Sequence, residues 1–560
     1  MKKLIRSEVF WILLLAAILR IAFLAIKPPH FDEGVNGWFV DQMVKNGYFK
    51  YDPSNYHGPL YFYILFVFQQ LFGRNLWALR MPAVISSLLC VFWMFRFRDF
   101  FGKRCVTWAA VAMAVSPGYV FYGRYSIHES LLVFFTMLFV WGGLGAIQTG
   151  LRKYSLGILI GVTGMILVKE TWVIHAGSFL LALGCLYYWQ FVRPSASQLI
   201  FAKQQWKRQE IILPVIAAMV AILFFYSGNF LHIETLGGLG EAYLIWFKTG
   251  AGAGGHIKGD YGLGHVIQQW LAHGKEGYLI SDTSWCTLLN SLNYLLYLGR
   301  IYFLNGLNAV FGESWIHCLN FLNYYWLFLI TRYEWPALAG IFASLWFFWR
   351  RSAATIRLAG IYGCGVLAAY SLIPYKTPWC IISLLWPFYL VLFYFIENLK
   401  KWKREASIVA ALMLAASLGW SIRLNFFNYV NIEEPYVYVQ TLPEYSILVD
   451  PLLHLAKQDP QYYYVSGQIL LDSYYPLPWV LGDFPQVGYY KQAPARLDAD
   501  FVVVESKKAG EIEKKLEDSY YRREFQLRDA QEKSTVYFRA SKFAKEFNFA
   551  QPEVTPVPKK

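Results

Sequence analysis

Residues 1–33 read MKKLIRSEVFWILLLAAILRIAFLAIKPPHFDE, and the fold follows from them. Lys2, Lys3 and Arg6 precede an apolar run from Val9 to Ile26 that holds one charge, Arg20. A hydrocarbon core about 30 Å thick is crossed by about 20 apolar helical residues, so the run predicts a transmembrane helix. It is too long for the apolar core of a signal peptide, and Lys27-Pro28-Pro29 follows in place of a small-residue cleavage site. The helix is therefore expected to stay in the chain. Basic residues favour the cytoplasmic side, which sends the helix outward and delivers Asp32-Glu33 just beyond the far surface. Arg20 has to find a partner or reach for the interface, and a structural role is expected of it.

The same alternation of basic cluster and apolar run recurs along the chain. Clusters at Arg96/Arg98/Lys103/Arg104, Arg152/Lys153, Arg193/Lys203/Lys207/Arg208, Arg350/Arg351/Arg357 and Lys400/Lys401/Lys403/Arg404 set the weave. Apolar runs lie near 9–27, 79–96, 105–122, 130–149, 155–170, 173–192, 210–231, 334–349, 354–372, 379–397 and 406–424. The expected fold class is an α-helical polytopic membrane protein with about 11–13 spans, N-terminus inside and C-terminus outside. The range reflects residues 285–332, which are apolar but interrupted. Residues 59–73 are apolar but short, and predict a juxtamembrane helix.

Composition agrees. The chain of 560 residues is 56% hydrophobic and only 16% charged, where a soluble domain carries about a quarter charged residues. Its net charge of +14 resides in the topology clusters, which argues against a nucleic-acid partner. The seven cysteines, Cys286 and Cys318 among them, show no metal spacing and an odd count, and read as packing residues. From about residue 432 charge rises and the long apolar runs stop. Short strands are expected at Tyr462–Val465, Phe501–Val504 and Val536–Phe538, and a helix at Lys507–Asp518. The expected domains are 1–431, a membrane domain with a first outer loop at 28–78; 432–545, an extracytoplasmic α/β domain; and 546–560, a disordered tail.

Ionisable groups at a membrane edge are costly and ask for a reason. The outer face collects Asp32, Glu33 and His57 in its first loop, Arg124, His128 and Glu129 in its second, Lys169 and Glu170 in its third, and Lys376 in a late one. Paired carboxylates with cations nearby suit displacement at a sugar C1. One carboxylate takes a proton from an acceptor hydroxyl, and a cation stabilises the leaving phosphate. A nucleotide sugar is cytosolic, so an outward site calls for a lipid-phosphate sugar.

Several motifs resemble the C-type glycosyltransferase superfamily, which includes protein O-mannosyltransferases and the lipid A aminoarabinose transferase. They are Asp32-Glu33, Arg80-Met-Pro, Phe101-Gly-Lys-Arg, Ser116-Pro-Gly, Arg124 to His128-Glu129, and Ser371 to Lys376-Thr-Pro. The chain is similar in particular to a bacterial and archaeal branch of flippase activity-associated proteins. That likeness rests on His30-Phe-Asp-Glu33, Tyr51-Asp-Pro, Tyr56-His-Gly-Pro-Leu-Tyr61, Lys169-Glu-Thr-Trp172, Pro374-Tyr-Lys-Thr-Pro-Trp379 and Tyr475-Pro-Leu-Pro-Trp479.

The resemblance implies a multi-pass enzyme of the cytoplasmic membrane with its active site on the outer face. It moves a sugar from polyprenyl phosphate, with inversion, to a lipid, glycan or protein acceptor. Asp32 matches the base, with Glu33 and Glu129 as its catalytic companions. Lys376 matches the residue at the donor phosphate, helped by Arg124. His57, His128, Lys169, Tyr56 and Trp379 are candidate substrate contacts. No cofactor is required, and no metal ligand is assigned.

Plainer readings stand beside these. Asp32-Glu33 and Glu129 also suit helix N-termini. Lys169-Glu170 suits an ion pair, and Arg124 and Lys376 suit headgroup anchors. The glycine-rich stretch 237–264 reads as a mobile outer loop, or as a lid over the donor. A non-catalytic subunit for lipid-linked sugar export is the alternative function; the absence of an internal repeat argues against a transporter.

Overall fold

The computed structural model describes residues 7–55, 57–192, 201–251, 325–349, 353–373, 375–494, 496–528 and 533–554. Each of the eleven apolar runs forms a helix. They are α1 (Glu8–Ile21), α4 (Leu76–Met94), α5 (Lys103–Val115), α7 (Glu129–Thr149), α8 (Arg152–Val168), α9 (Trp172–Val192), α10 (Gln209–Tyr226), α13 (Trp335–Trp349), α14 (Ala354–Leu372), α15 (Ile381–Glu397) and α16 (Lys403–Ile422). Between them lie α2 (Phe31–Asn46), α3 (Leu60–Phe72), α6 (Pro117–Tyr122), α11 (Gly238–Ala251) and α12 (Tyr325–Tyr333). Among the described residues, seven helices are long and apolar enough to cross a membrane, the longest spanning Leu76–Phe101. The chain is a multi-pass helical membrane protein.

Two of the runs that end early do so for clear local reasons. The run near 105–122 breaks at Ser116-Pro117. Proline has no amide hydrogen and disfavours a helical residue before it, so α5 ends and α6 starts afresh with Pro117 in its first turn. The first run stops at Ile21 because the carbonyls at its end are taken by another residue. Arg124 donates to the oxygens of Leu19, Arg20 and Ala22 at 3.0, 3.2 and 2.7 Å, and to Phe23 at 2.9 Å. Arg20 finds its partners inside the bundle, at Ser87 Oγ (2.8 Å) and the carbonyls of Ala114 (2.9 Å) and Met113 (3.1 Å).

The glycine-rich stretch 237–264 is helical as far as Ala251, and its remainder lies outside the described residues. So do Cys286, Cys318 and residues 285–324 of the interrupted apolar segment, whose last part is α12. The five described cysteines are free thiols.

The C-terminal region is built on a five-stranded sheet of order β2-β1-β3-β5-β4. Its strands are β1 (Gly467–Leu470), β2 (Val487–Tyr489), β3 (Phe501–Glu505), β4 (Tyr520–Phe525) and β5 (Ser534–Arg539). β1 runs parallel to β2 and β3, while β3–β5 and β5–β4 are antiparallel. β3 alternates its side chains between two cores, Phe501 and Val503 on one face and Val502 and Val504 on the other. Helix α17 (Ser446–Gln458) covers the first face with Leu448, Leu452 and Leu455.

Three expectations for this region are corrected. Tyr462–Val465 is not a strand, because Pro460 opens a 3-10 turn and Asp459 caps it by accepting from the Gln461 amide at 2.9 Å. The strand begins at Gly467, two residues past Val465. The charged helix is only Ala509–Glu513, preceded by a 3-10 turn. The tail is ordered past 546, and Val554 pairs with Tyr520 through hydrogen bonds of 2.9 and 3.1 Å; residues 555–560 lie outside the described residues.

Candidate active site

Helix α2 is the floor of the site. Its sequence, FDEGVNGWFVDQMVKN, mixes acids, glycines and aromatics, and no long apolar face emerges. Its start is instead fixed by a reciprocal cap. The His30 imidazole accepts from the Asp32 amide at 3.1 Å, and the Glu33 carboxylate accepts from the His30 amide at 2.8 Å.

The two neighbouring acids thereby divide. Glu33 is fully buried. It takes two hydrogen bonds from Arg80, at 2.8 and 2.7 Å, and one from the Ser126 amide at 2.9 Å. Burial alone pushes its pKa up, but Arg80 and these amides hold it below the ordinary carboxylate value. Both of its oxygens are occupied by these hydrogen bonds. Asp32 is only partly buried, and its carboxylate has no hydrogen-bond or ion-pair partner among the described residues. It faces a cavity of about 870 Å3.

That cavity gathers groups from distant parts of the chain. Asp32 shares its lining with Glu129, at the N-terminus of α7, and Lys169, just past the end of α8. The latter two form a buried ion pair. Beside them the His57 Nδ1 lies 3.1 Å from Glu170, and the His57 and His128 rings are 4.7 Å apart. His128 is buried, and its Nε2 has no partner among the described residues. Burial first, and then the charges of His57 and Lys169, drive its pKa well below the ordinary histidine value. Trp379 closes another wall, 5.9 Å from the His30 ring and 5.4 Å from Tyr438.

Two expected phosphate contacts do not reach the cavity. Lys376 turns its ammonium to the carbonyls of Tyr370 (2.9 Å), Ser371 (3.0 Å) and Ile373, closing the end of α14. Arg124 is spent on the end of α1. Carbonyls left over at a helix end are strong acceptors, and a long cationic side chain within reach satisfies them. Tyr56 lies outside the described residues.

Residues the sequence did not single out supply the other cations. Arg528 comes from the C-terminal domain, is buried, and stands over the Phe31 ring at 4.8 Å. It donates to the Ser473 carbonyl at 3.0 Å and the Ser473 hydroxyl at 2.6 Å. Burial pushes its pKa down to about 10, with Asp32 pulling the other way. Arg332 stands at another rim of the cavity, 3.1 Å from Glu434, which also accepts from Tyr333 at 2.6 Å. Neither arginine lies in a motif; only the fold brings them in. Among the described residues no cluster of three or more histidine, cysteine or acidic groups is arranged to hold a metal ion.

The arrangement is a carboxylate free to accept a proton, a mostly apolar chamber, and cations along its walls. Residues 56–226 match the family model of dolichyl-phosphate-mannose-protein mannosyltransferase. No curated protein sequence matches the chain. Among solved structures, ArnT from Cupriavidus metallidurans bound to undecaprenyl phosphate is similar, with a TM-score of 0.55 and 12% identity over 95% of this chain and 98% of that one. The oligosaccharyltransferase of Archaeoglobus fulgidus, in complex with Zn and sulfate, gives a TM-score of 0.48 and 14% identity over 93% of this chain and 73% of that one. The fold is therefore the one shared with ArnT, and residues 56–226 are similar to that mannosyltransferase family. The resemblance read from the sequence is borne out as a resemblance: part of the chain is similar to a mannosyltransferase family, and the chain shares the fold of ArnT.

Proposed function

We propose that the protein transfers a sugar from a polyprenyl-phosphate carrier to an acceptor hydroxyl, at the outer face of a cytoplasmic membrane. The carrying observation is Asp32, a carboxylate at the cavity wall without a partner among the described residues. Support for the carrier comes from the shared fold of ArnT, which was crystallised with undecaprenyl phosphate.

In the reaction the acceptor oxygen attacks C1 of the sugar, and the C1–O bond to phosphate breaks. The bond electrons leave with the polyprenyl phosphate, and Asp32 takes the acceptor proton. A single displacement inverts the anomeric centre. The phosphate-holding role expected of Lys376 and Arg124 passes to cations that line the cavity, Lys169 and Arg528. Glu129 keeps Lys169 in place, and Glu33 fixes α2 through Arg80. His57, oriented by Glu170, and Trp379 complete the walls around the sugar.

The test uses purified protein in lipid with radiolabelled polyprenyl-phosphate sugars and a crude envelope extract. Wild type is expected to move label into new products, and Asp32→Asn to move none while melting at the same temperature. Transfer retained by Asp32→Asn would remove the base assignment. Donor bound but never transferred by wild type would favour the export role.

A further inference from the structure

One face of α2 is docked against the C-terminal domain. A helix turns about 100° per residue, so Phe31, Gly34, Gly37 and Asp41 fall along one stripe. Each meets a group from residues 473–483 or 528. Phe31 lies under the Arg528 guanidinium at 4.8 Å and 5.4 Å from the Tyr475 ring. Gly34 lies against Pro476, and Gly37 against the five-membered ring of Trp479, so closely that a methyl at either position would overlap its partner. Asp41 pairs with Arg74 at 2.9 Å, and Arg74 reaches on to Asp483 at 3.2 Å, the Trp479 carbonyl and the Trp479 ring at 5.3 Å. The adjoining stripe, Asp32, Val35 and Asn36, lines the cavity.

The glycines carry the argument. Glycine inside a helix costs about 1 kcal/mol relative to alanine, so a pair at i and i+3 on a polar helix calls for a packing reason. Here the reason is the Tyr475–Trp479 segment, which sits in the shallow groove the two glycines leave. The C-terminal domain therefore touches the helix that carries the base on the side next to the base itself.

We infer that Trp479 and Pro476 are positioning residues, a wedge by which the C-terminal domain holds α2 so that Asp32 points into the cavity. The inference rests on Asp32 as the base. Its holding half and its catalytic half are separable. In hydrogen exchange on the full chain in lipid, Trp479→Ala and Gly37→Ala should each raise exchange in the 31–46 peptide. Peptides from α7 and α15 should be unchanged. The double variant should do no more than Trp479→Ala alone, because both remove one contact.

In the transfer assay, with the same labelled donor, each single variant should lower kcat about tenfold or more and leave the donor KM within about twofold. A loss of folding would move every peptide and would not split kcat from KM. Unchanged exchange in 31–46 would overturn the wedge. Raised exchange with unchanged kcat would overturn positioning. If wild type transfers no label, the reading of Asp32 fails, and the exchange pattern still decides whether the wedge holds the helix.

Discussion

Asp32 and Glu33 are one residue apart, and the structure gives them unlike work. The sequence placed both at the membrane edge but contained no sign of which way each would point. Glu33 faces Arg80, 47 residues away, in a buried pair. Removing one partner of such a pair costs about 3–5 kcal/mol, because a charge stays behind unpaired. Arg80→Ala should thus lower the melting temperature sharply and cut yield, where Asp32→Asn should do neither. Lys376 and Arg124 show the same limit of the sequence. A long cationic side chain can swing to a phosphate or to a helix end, and here the bare carbonyls win. Arg528 was illegible for a different reason, since it lies 496 residues from Asp32 and in no motif.

His128 gives a pH prediction at this scale. Its pKa in the fold lies well below the ordinary value near 6.5, which the unfolded chain keeps. As pH falls through about 6.5 the unfolded chain gains a proton that the native state refuses. Stability is therefore full above that pH and declines below it, by up to about 1.4 kcal/mol per pH unit. Melting curves from pH 7.5 to 5.5 should show the loss, and His128→Phe should make it shallower.

At the scale of elements, apolar length was the legible quantity and polar contacts were the hidden one. All eleven long runs became helices because burial in lipid leaves the backbone no other way to satisfy itself. α2 was legible only at its start, where Asp32-Glu33 suit a helix N-terminus, because it has no apolar stripe and is held by a cap, an ion pair and the domain above it. Strand β1 was misplaced because tyrosines at 462–464 look like strand residues, while Pro460 and Asp459 had already committed them to a turn. Helix α3 has 13 residues and is roughly 20 Å long, too short to cross a core of about 30 Å. Single cysteines at Lys50 and Gln70, in a background with the native cysteines replaced, should then both react with an impermeant thiol reagent from the same side of intact cells. Labelling from opposite sides would make α3 a span.

Across the whole molecule, the cavity is an assembly of remote stretches: the first loop, the start of α7, the end of α8, parts of α11 and α12, the turn before α15, the segment near 438, and the C-terminal domain. A ligand that occupies it should stabilise all of them together. Polyprenyl phosphate at about 100 times its Kd should add about 2.7 kcal/mol to the folded state. Lys169→Met should weaken or remove the resulting rise in melting temperature, while Lys376→Met should leave it in place. The reverse result would return the phosphate to Lys376.

The grip of Arg124 on the end of α1 also dates the assembly. The carbonyl of Leu19 is made 105 residues before the guanidinium that satisfies it. At synthesis rates of about 5–20 residues per second, the first helix waits roughly 5–20 s with that end open. The lipid cannot supply the missing donors, so water or the insertion machinery has to attend the helix in the meantime. The first hairpin of this protein is thus born unfinished, and its completion is timed by the ribosome.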